Sequence, residues 1–308
     1  AASDVYKRQT KYRMKKQGLW LLCLLGVIGL SSCTSESEEQ TISGNLLMEL
    51  EAQVNQEKTR VSSENSWIGD GTELISLNMG EKKVTFKVTD VNGTLEPINE
   101  ENQLFWSVPL KPQAVIAWCP ATEGNNLPAS WSVQADQTGT GFQQSDLLYT
   151  ATEVSFQGNK VLPFEHLPAK VIVNLKGNGK NEAELTNAVV TIENSVLSGS
   201  ISDGILSVSQ GESKVITPKK VTSSDGYVYS CHALLIPQDM KGKKFIKIQM
   251  NGRTFYYIPE EGDANLTGGF KSVYNITVGD QKIVVSIEKN SSQWGGEEDE
   301  VVDLEPIS

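Results

Sequence analysis

Histidine is almost missing from this chain: His166 and His232 are the only two in 308 residues. Cysteine is scarce as well, with Cys23, Cys33, Cys119 and Cys231, and no CxxC or Cys/His cluster offers zinc ligands at usable spacing. Cys231 and His232 are neighbours, so on a strand they point to opposite faces and make a poor metal pair or dyad. No GxSxG, HExxH, P-loop or GxGxxG context is present. Gly69-Asp70-Gly71 reads as a turn, because too few carboxylates follow at the spacing of a calcium loop. Carboxylates are plentiful, yet no pair can be given acid and base roles without geometry. Trp106, Trp118 and Trp131 could line a sugar surface, but as core they need no such role. His166 reads as a packing or hydrogen-bonding residue. The expectation is a non-enzymatic protein with no cofactor and no metal site.

Positive charge is also in short supply. The chain has 27 Lys+Arg against 38 Asp+Glu, and the first 32 residues hold six of the former and one of the latter. Beyond them stand 21 basic and 37 acidic side chains, a balance of −16. Such a chain lacks the basic surface that displaces counterions, which excludes non-specific nucleic-acid binding. It suits an exported body that repels its neighbours.

Long apolar runs are missing too, with the exception of Leu19–Leu30. Lys15 and Lys16 precede it and Ser31-Ser32 follow, the order of parts in a secretory signal. The run is shorter than the roughly 20 residues that span a bilayer. Leu30-Ser31-Ser32-Cys33 resembles a bacterial lipobox, which implies diacylation of Cys33, removal of the residues before it and attachment to a membrane. Residues 1–13 fit neither a signal nor a fold and read as sequence upstream of a start at Met14.

What is present is β pattern. Residues 34–45 are polar and acidic and read as a tether. In Leu46–Val54, the residues Met48, Leu50, Ala52 and Val54 alternate with Glu49, Glu51 and Gln53, the period of a half-buried strand. A short helix through Leu46, Leu47, Leu50 and Val54 fits the same letters. Arg60 follows in a polar linker and is one of only two arginines beyond the signal, the other being Arg253, so it offers a specific site for an Arg-specific protease. Further strands are expected at 74–79, 84–88, 115–118, 171–175, 188–192, 205–208, 227–236, 245–250, 273–278 and 282–288, and residues 121–146 read as loops. Asn251-Gly252 is the strongest hairpin signal. Many short strands without a long helix imply antiparallel sandwiches. We expect 1–32 as upstream residues and lipoprotein signal, 33–45 as tether, and two β domains over 46–153 and 154–308, the second ending in an acidic tail after Trp294.

Several stretches, in order, resemble the fimbrillin-like lipoproteins of Bacteroidales, the subunits of type V pili. They are the lipobox, Thr59-Arg60-Val61, Ser66-Trp67-Ile68-Gly69-Asp70, Asp146-Leu147-Leu148-Tyr149 and Pro163–Lys170. Ala233–Gln238, Thr267-Gly268-Gly269-Phe270, Tyr274–Val278 and Trp294 continue the series. The resemblance implies an all-β fold of two transthyretin-like antiparallel β-sandwich domains in tandem, exported as an outer-membrane lipoprotein to the cell surface and the fimbrium. It further implies that an Arg-specific protease cuts between Arg60 and Val61 and removes the strand carrying Met48, Leu50, Ala52 and Val54. A strand of another pilus subunit then fills the groove, head to tail. Its donor residues would be Ile283, Val285 and Ile287, or Val301, Val302 and Leu304 in a tail unusually acidic for that task. The alternative reading is a monomeric surface adhesin for glycan or host protein.

Overall fold

The computed structural model describes residues 46–54, 67–107, 109–179, 181–224, 226–279, 281–293 and 301–302. Strands dominate, as the short alternating runs require. The first eight are β1 (Leu50–Val54), β2 (Leu74–Met79), β3 (Lys82–Val88), β4 (Thr94–Pro97), β5 (Gln113–Cys119), β6 (Ser130–Ser132), β7 (Leu148–Val154) and β8 (Val161–His166). A short helix, α1 (Gly141–Ser145), lies between β6 and β7.

Seven of these strands close a barrel in the order β1-β4-β3-β2-β5-β7-β8. An odd number of strands cannot close with every neighbour antiparallel. The parallel pair falls where β1 meets β8, with Ala52 opposite Leu162 and Val54 opposite Phe164. Inside lie Leu50, Ile75, Leu77, Phe86, Val115, Leu162 and Phe164, all under 3 % exposed. β8 lies beyond the boundary expected at 153/154, yet its Leu162 and Phe164 belong to this first core.

Twelve strands follow: β9 (Ala169–Gly177), β10 (Val189–Val196), β11 (Ser198–Ser202), β12 (Ile205–Val208), β13 (Ser213–Ile216), β14 (Lys219–Val221), β15 (Tyr229–Leu235), β16 (Ile246–Met250), β17 (Arg253–Tyr257), β18 (Phe270–Val278), β19 (Ile283–Gln293) and β20 (Val301–Val302). A six-stranded sheet, β14-β15-β9-β18-β19-β20, and a four-stranded sheet, β13-β10-β16-β17, contribute their apolar faces to a second core. Val173, Leu175, Cys231, Tyr274 and Ile276 of the larger sheet are fully buried there with Ile192, Ile246 and Ile248 of the smaller. Among the described residues the β9–β18 pair is the second parallel one, and the other strand pairs are antiparallel.

The Asn251-Gly252 hairpin forms as its sequence demands. Both residues have positive φ, 44° and 72°, and Met250 sits opposite Arg253 across a two-residue loop. Residues 121–146, expected as loops, also hold β6 and α1. A strand of three residues has too little alternation to register as a period, and β6 gains its partner only from distant β11.

Candidate functional site

The strand expected within Leu46–Val54 is present as β1, extended backwards by a bridge between Leu47 and Phe105 and by the Met48 N–H, which donates to the Leu104 carbonyl at 2.8 Å. Pairing on both edges decides for strand over helix. Met48, Leu50 and Ala52 are 3, 2 and 0 % exposed, Val54 is half-buried, and Glu49, Glu51 and Gln53 face solvent or lie at the rim. One edge meets β4 antiparallel, Leu50 opposite Leu95, and the other meets β8 in parallel. Burial of Met48 and Leu50 contributes about 1.5–3 kcal/mol each. Without β1, the facing edges of β4 and β8 would present unpaired N–H and C=O groups along an apolar slot.

Two contacts at Ala52 pin β1, and only part of this set is visible in the sequence. The Ala52 N–H donates to the Gly93 carbonyl at 2.8 Å. Gly93 has φ +91°, and a Cβ there would stand 1.8 Å from the Ala52 oxygen, so the approach requires glycine. The Asp90 carboxylate shapes that turn by accepting from Thr94 Oγ1 and from the N–H groups of Asn92 and Thr94. These bonds, that of the Thr94 hydroxyl first, hold the Asp90 carboxyl below its ordinary range. Across the strand, Trp67 Nε1 donates to the Ala52 carbonyl at 2.8 Å, and its ring meets Phe164 edge-on at 5.8 Å. The backbone just after Trp67 is fixed by Glu73, whose Oε2 accepts from the N–H groups of Ile68 and Gly69 at 2.7 and 3.1 Å. Burial pushes the Glu73 carboxyl upward, against the pull of those two donors.

The described donor residues lie on strands of the other sheet system, which pair among themselves and not with β1. Ile283 and Val285 pack on the second core and Ile287 is inside it, all on β19, which pairs with β18 from Ile283–Val278 to Gln293–Phe270. Val301 and Val302 form β20, opposite Glu288 and Ile287. Cys33, Arg60, Val61 and Leu304 lie outside the described residues.

The remaining chemistry-bearing residues are built into the fold. His166 Nδ1 meets both carboxylate oxygens of Asp146, at 2.9 and 3.0 Å. Cys119 and Cys231 are free thiols in different cores. Burial drives the Cys231 thiol up to about 12, and raises Cys119 further, so both stay protonated. Trp106 and Trp118 are buried, while Trp131 is half-buried with its Nε1 donating to the Ser145 carbonyl at 3.0 Å. Among the described residues, no three His, Cys, Asp or Glu side chains converge on one point.

No relative emerged among curated proteins. Among solved structures the chain is similar to a candidate cell adhesion protein of Bacteroides uniformis. That match has a TM-score of 0.62 and 18 % identity, covering 80 % of this chain and 99 % of the other. A second candidate cell adhesion protein, from Bacteroides ovatus, matches with a TM-score of 0.64 and 19 % identity, covering 83 % of this chain and all of the other. At such identity these two speak for the fold. The fimbrillin-like family model, in contrast, matches residues 59–294, beginning just before Arg60 and ending at Trp294. With that span covered, the chain belongs to the fimbrillin-like family.

Proposed function

We propose that this protein is a fimbrial subunit or a pilus-associated surface lipoprotein. It is anchored through Cys33, activated by an Arg-specific protease that cuts between Arg60 and Val61, and joined to other subunits by strand exchange in the service of cell adhesion. The observation that carries the reading is the position of β1. Among the described residues it is the first strand, it closes the barrel, it is bonded along both edges, and it precedes the linker that holds Arg60. Its loss leaves the sheet edge and apolar slot that β-addition repairs. A donor from a different part of a second copy makes the contact head-to-tail, which propagates as a filament. Detaching β19 would withdraw Ile287 from its own core, whereas the two-residue β20 lies at a sheet edge. That difference favours Val301, Val302 and Leu304 over Ile283, Val285 and Ile287 as the donor set.

The test treats the chain beginning at Thr34 with an Arg-specific protease, followed by N-terminal sequencing and size analysis. A new terminus at Val61 with an SDS-resistant ladder supports strand exchange. A Val61 terminus without a ladder places the protein at a filament end. Folded protein that resists cleavage at Arg60 overturns the activation step and leaves the monomeric adhesin for glycan or host protein as the better reading.

A further inference from the structure

β5 and β7 are neighbours in the barrel and pair as far as Cys119 opposite Leu148, so a tight turn would suffice to join them. Residues 120–147 run between them instead, and connections of such length inside a compact fold are uncommon unless they serve a purpose. The first part of this excursion grips the barrel. The Ala121 N–H donates to the Leu74 carbonyl at 2.8 Å, and the Thr122 N–H donates to Ser76 Oγ at 3.1 Å. Asn125 Oδ1 accepts from the hydroxyls of Ser76 on β2 and Thr85 on β3, and Asn126 Oδ1 accepts from Lys83 Nζ on β3. Ser76 is fully buried within that network.

The second part grips the sheets of the second core. The Ile201 N–H donates to the Ala129 carbonyl at 2.8 Å, and β6 pairs with β11 from Ser130–Ser200 to Ser132–Ser198. The Thr217 N–H donates to the Ala135 carbonyl at 2.7 Å, and the Gln137 N–H donates to the Thr217 carbonyl at 2.9 Å. Fully buried, the Gln137 side chain then stands in for a strand beside β15. It accepts from the Leu234 N–H and donates to the Leu234 carbonyl, each at 2.7 Å. Val133 and Leu147 are buried in the second core, although both precede β7 of the barrel.

We propose that residues 120–147 are a brace that confines opening of the barrel to the seam held by β1. Among the described residues, its bonds to the barrel reach β2 and β3, and β5 and β7 are its own two ends. The strands that flank β1 lie outside this set: Thr94–Pro97 of β4, and Val161–Phe164 of β8. Displacement of β1 therefore loosens those two flanks, while β2, β3, β5 and β7 keep their places on the second core and hold the apolar slot in shape. The use of such a slot in assembly rests on the strand-exchange reading above, whereas the confinement itself holds for the uncut chain.

Amide exchange of the uncut chain from Thr34 to Ser308 tests the brace, with Gly93→Ala and Trp67→Phe to disturb β1. Exchange at Ala52, Leu95 and Leu162 should accelerate about tenfold or more in Gly93→Ala and severalfold in Trp67→Phe. Leu77, Ala117 and Thr150 should stay within about twofold of the parent in both. Adding Asn125→Ala and Gln137→Ala to Trp67→Phe severs both grips. Acceleration should then spread to Leu77, Ala117 and Thr150 beyond the sum of the separate effects, while Val173 and Ile276 of the second core stay protected. Ser76→Ala in place of that pair loosens one grip in a milder background, with the same spread expected at severalfold. Acceleration across the whole barrel in Trp67→Phe alone, or unmoved protection at Leu77, Ala117 and Thr150 once both grips are severed, overturns the proposal. Resistance of Arg60 to the protease would fail the activation step without moving any of these rates.

Discussion

The indole N–H of Trp67 is bonded to the carbonyl of Ala52 at 2.8 Å, across an interval that contains Arg60. Trp67 therefore stays with the barrel after a cut at Arg60, while Ala52 belongs to the strand that would leave. The same bond that locks the closed barrel is one that a departing β1 must break.

Trp67→Phe tests that link. Phenylalanine retains a ring to meet Phe164 but donates nothing to Ala52. The expected loss is about 1 kcal/mol of stability, the net value of one buried hydrogen bond. Urea unfolding reads it directly, and β1 should leave faster from the variant cut at Arg60.

Gly93→Ala should be among the most damaging single changes near the site. A methyl group 1.8 Å from the Ala52 oxygen cannot be accommodated without moving β1, and the left-handed φ adds strain. A cost on the order of 2–4 kcal/mol is expected. Loss of exchange protection at the Ala52 amide would localise the damage, whereas a uniform loss across the second core would contradict it.

Leu50→Ala and Glu51→Ala separate the two faces of β1. Leu50 is 2 % exposed in the first core and should cost about 2–5 kcal/mol on truncation. Its neighbour Glu51 is exposed, and its truncation should stay within about 0.5 kcal/mol. Equal effects in thermal or urea unfolding would mean that β1 is not seated as described.

Glu73 supplies a pH dependence. Burial, with a smaller repulsion from Asp70, raises its carboxyl above the ordinary 4.5 despite donation from Gly69 and Ile68. Folded protein then holds this proton more tightly than unfolded chain, so the Glu73 contribution to stability falls as pH rises from 4.5 through the folded value and levels off above it. Glu73→Gln should flatten that segment of the stability–pH curve measured by urea midpoints. A curve of unchanged slope between about pH 4 and about pH 7 would contradict the assignment.

Much of the arrangement is legible in the letters. Alternation from Met48 to Val54 specifies a strand with one buried face, and Asn251-Gly252 specifies its hairpin down to the register, because both are local consequences of side-chain direction and turn geometry. Short strands such as β6, β13 and β14 are not legible. Three or four residues carry no measurable period, and β6 finds its partner β11 66 to 70 residues away, while β13 pairs with β10 17 to 24 residues back. Trp67 and Phe164 both stand in stretches that the sequence singled out, but nothing in either stretch says that the two rings touch.

By itself, then, the sequence determined that β1 exists, which face it buries, that a scarce arginine follows it and that the tail is acidic. Each of these depends on residue type at fixed spacing. Tertiary structure alone decided what β1 closes. Its parallel union with β8 arises because seven strands in a ring cannot alternate throughout, and its lock to Gly93 and Trp67 arises because backbone hydrogen bonds must be satisfied by whatever the fold brings near. The same logic laid β6 against β11, where residues 66 to 70 positions apart become neighbours through strand register rather than sequence.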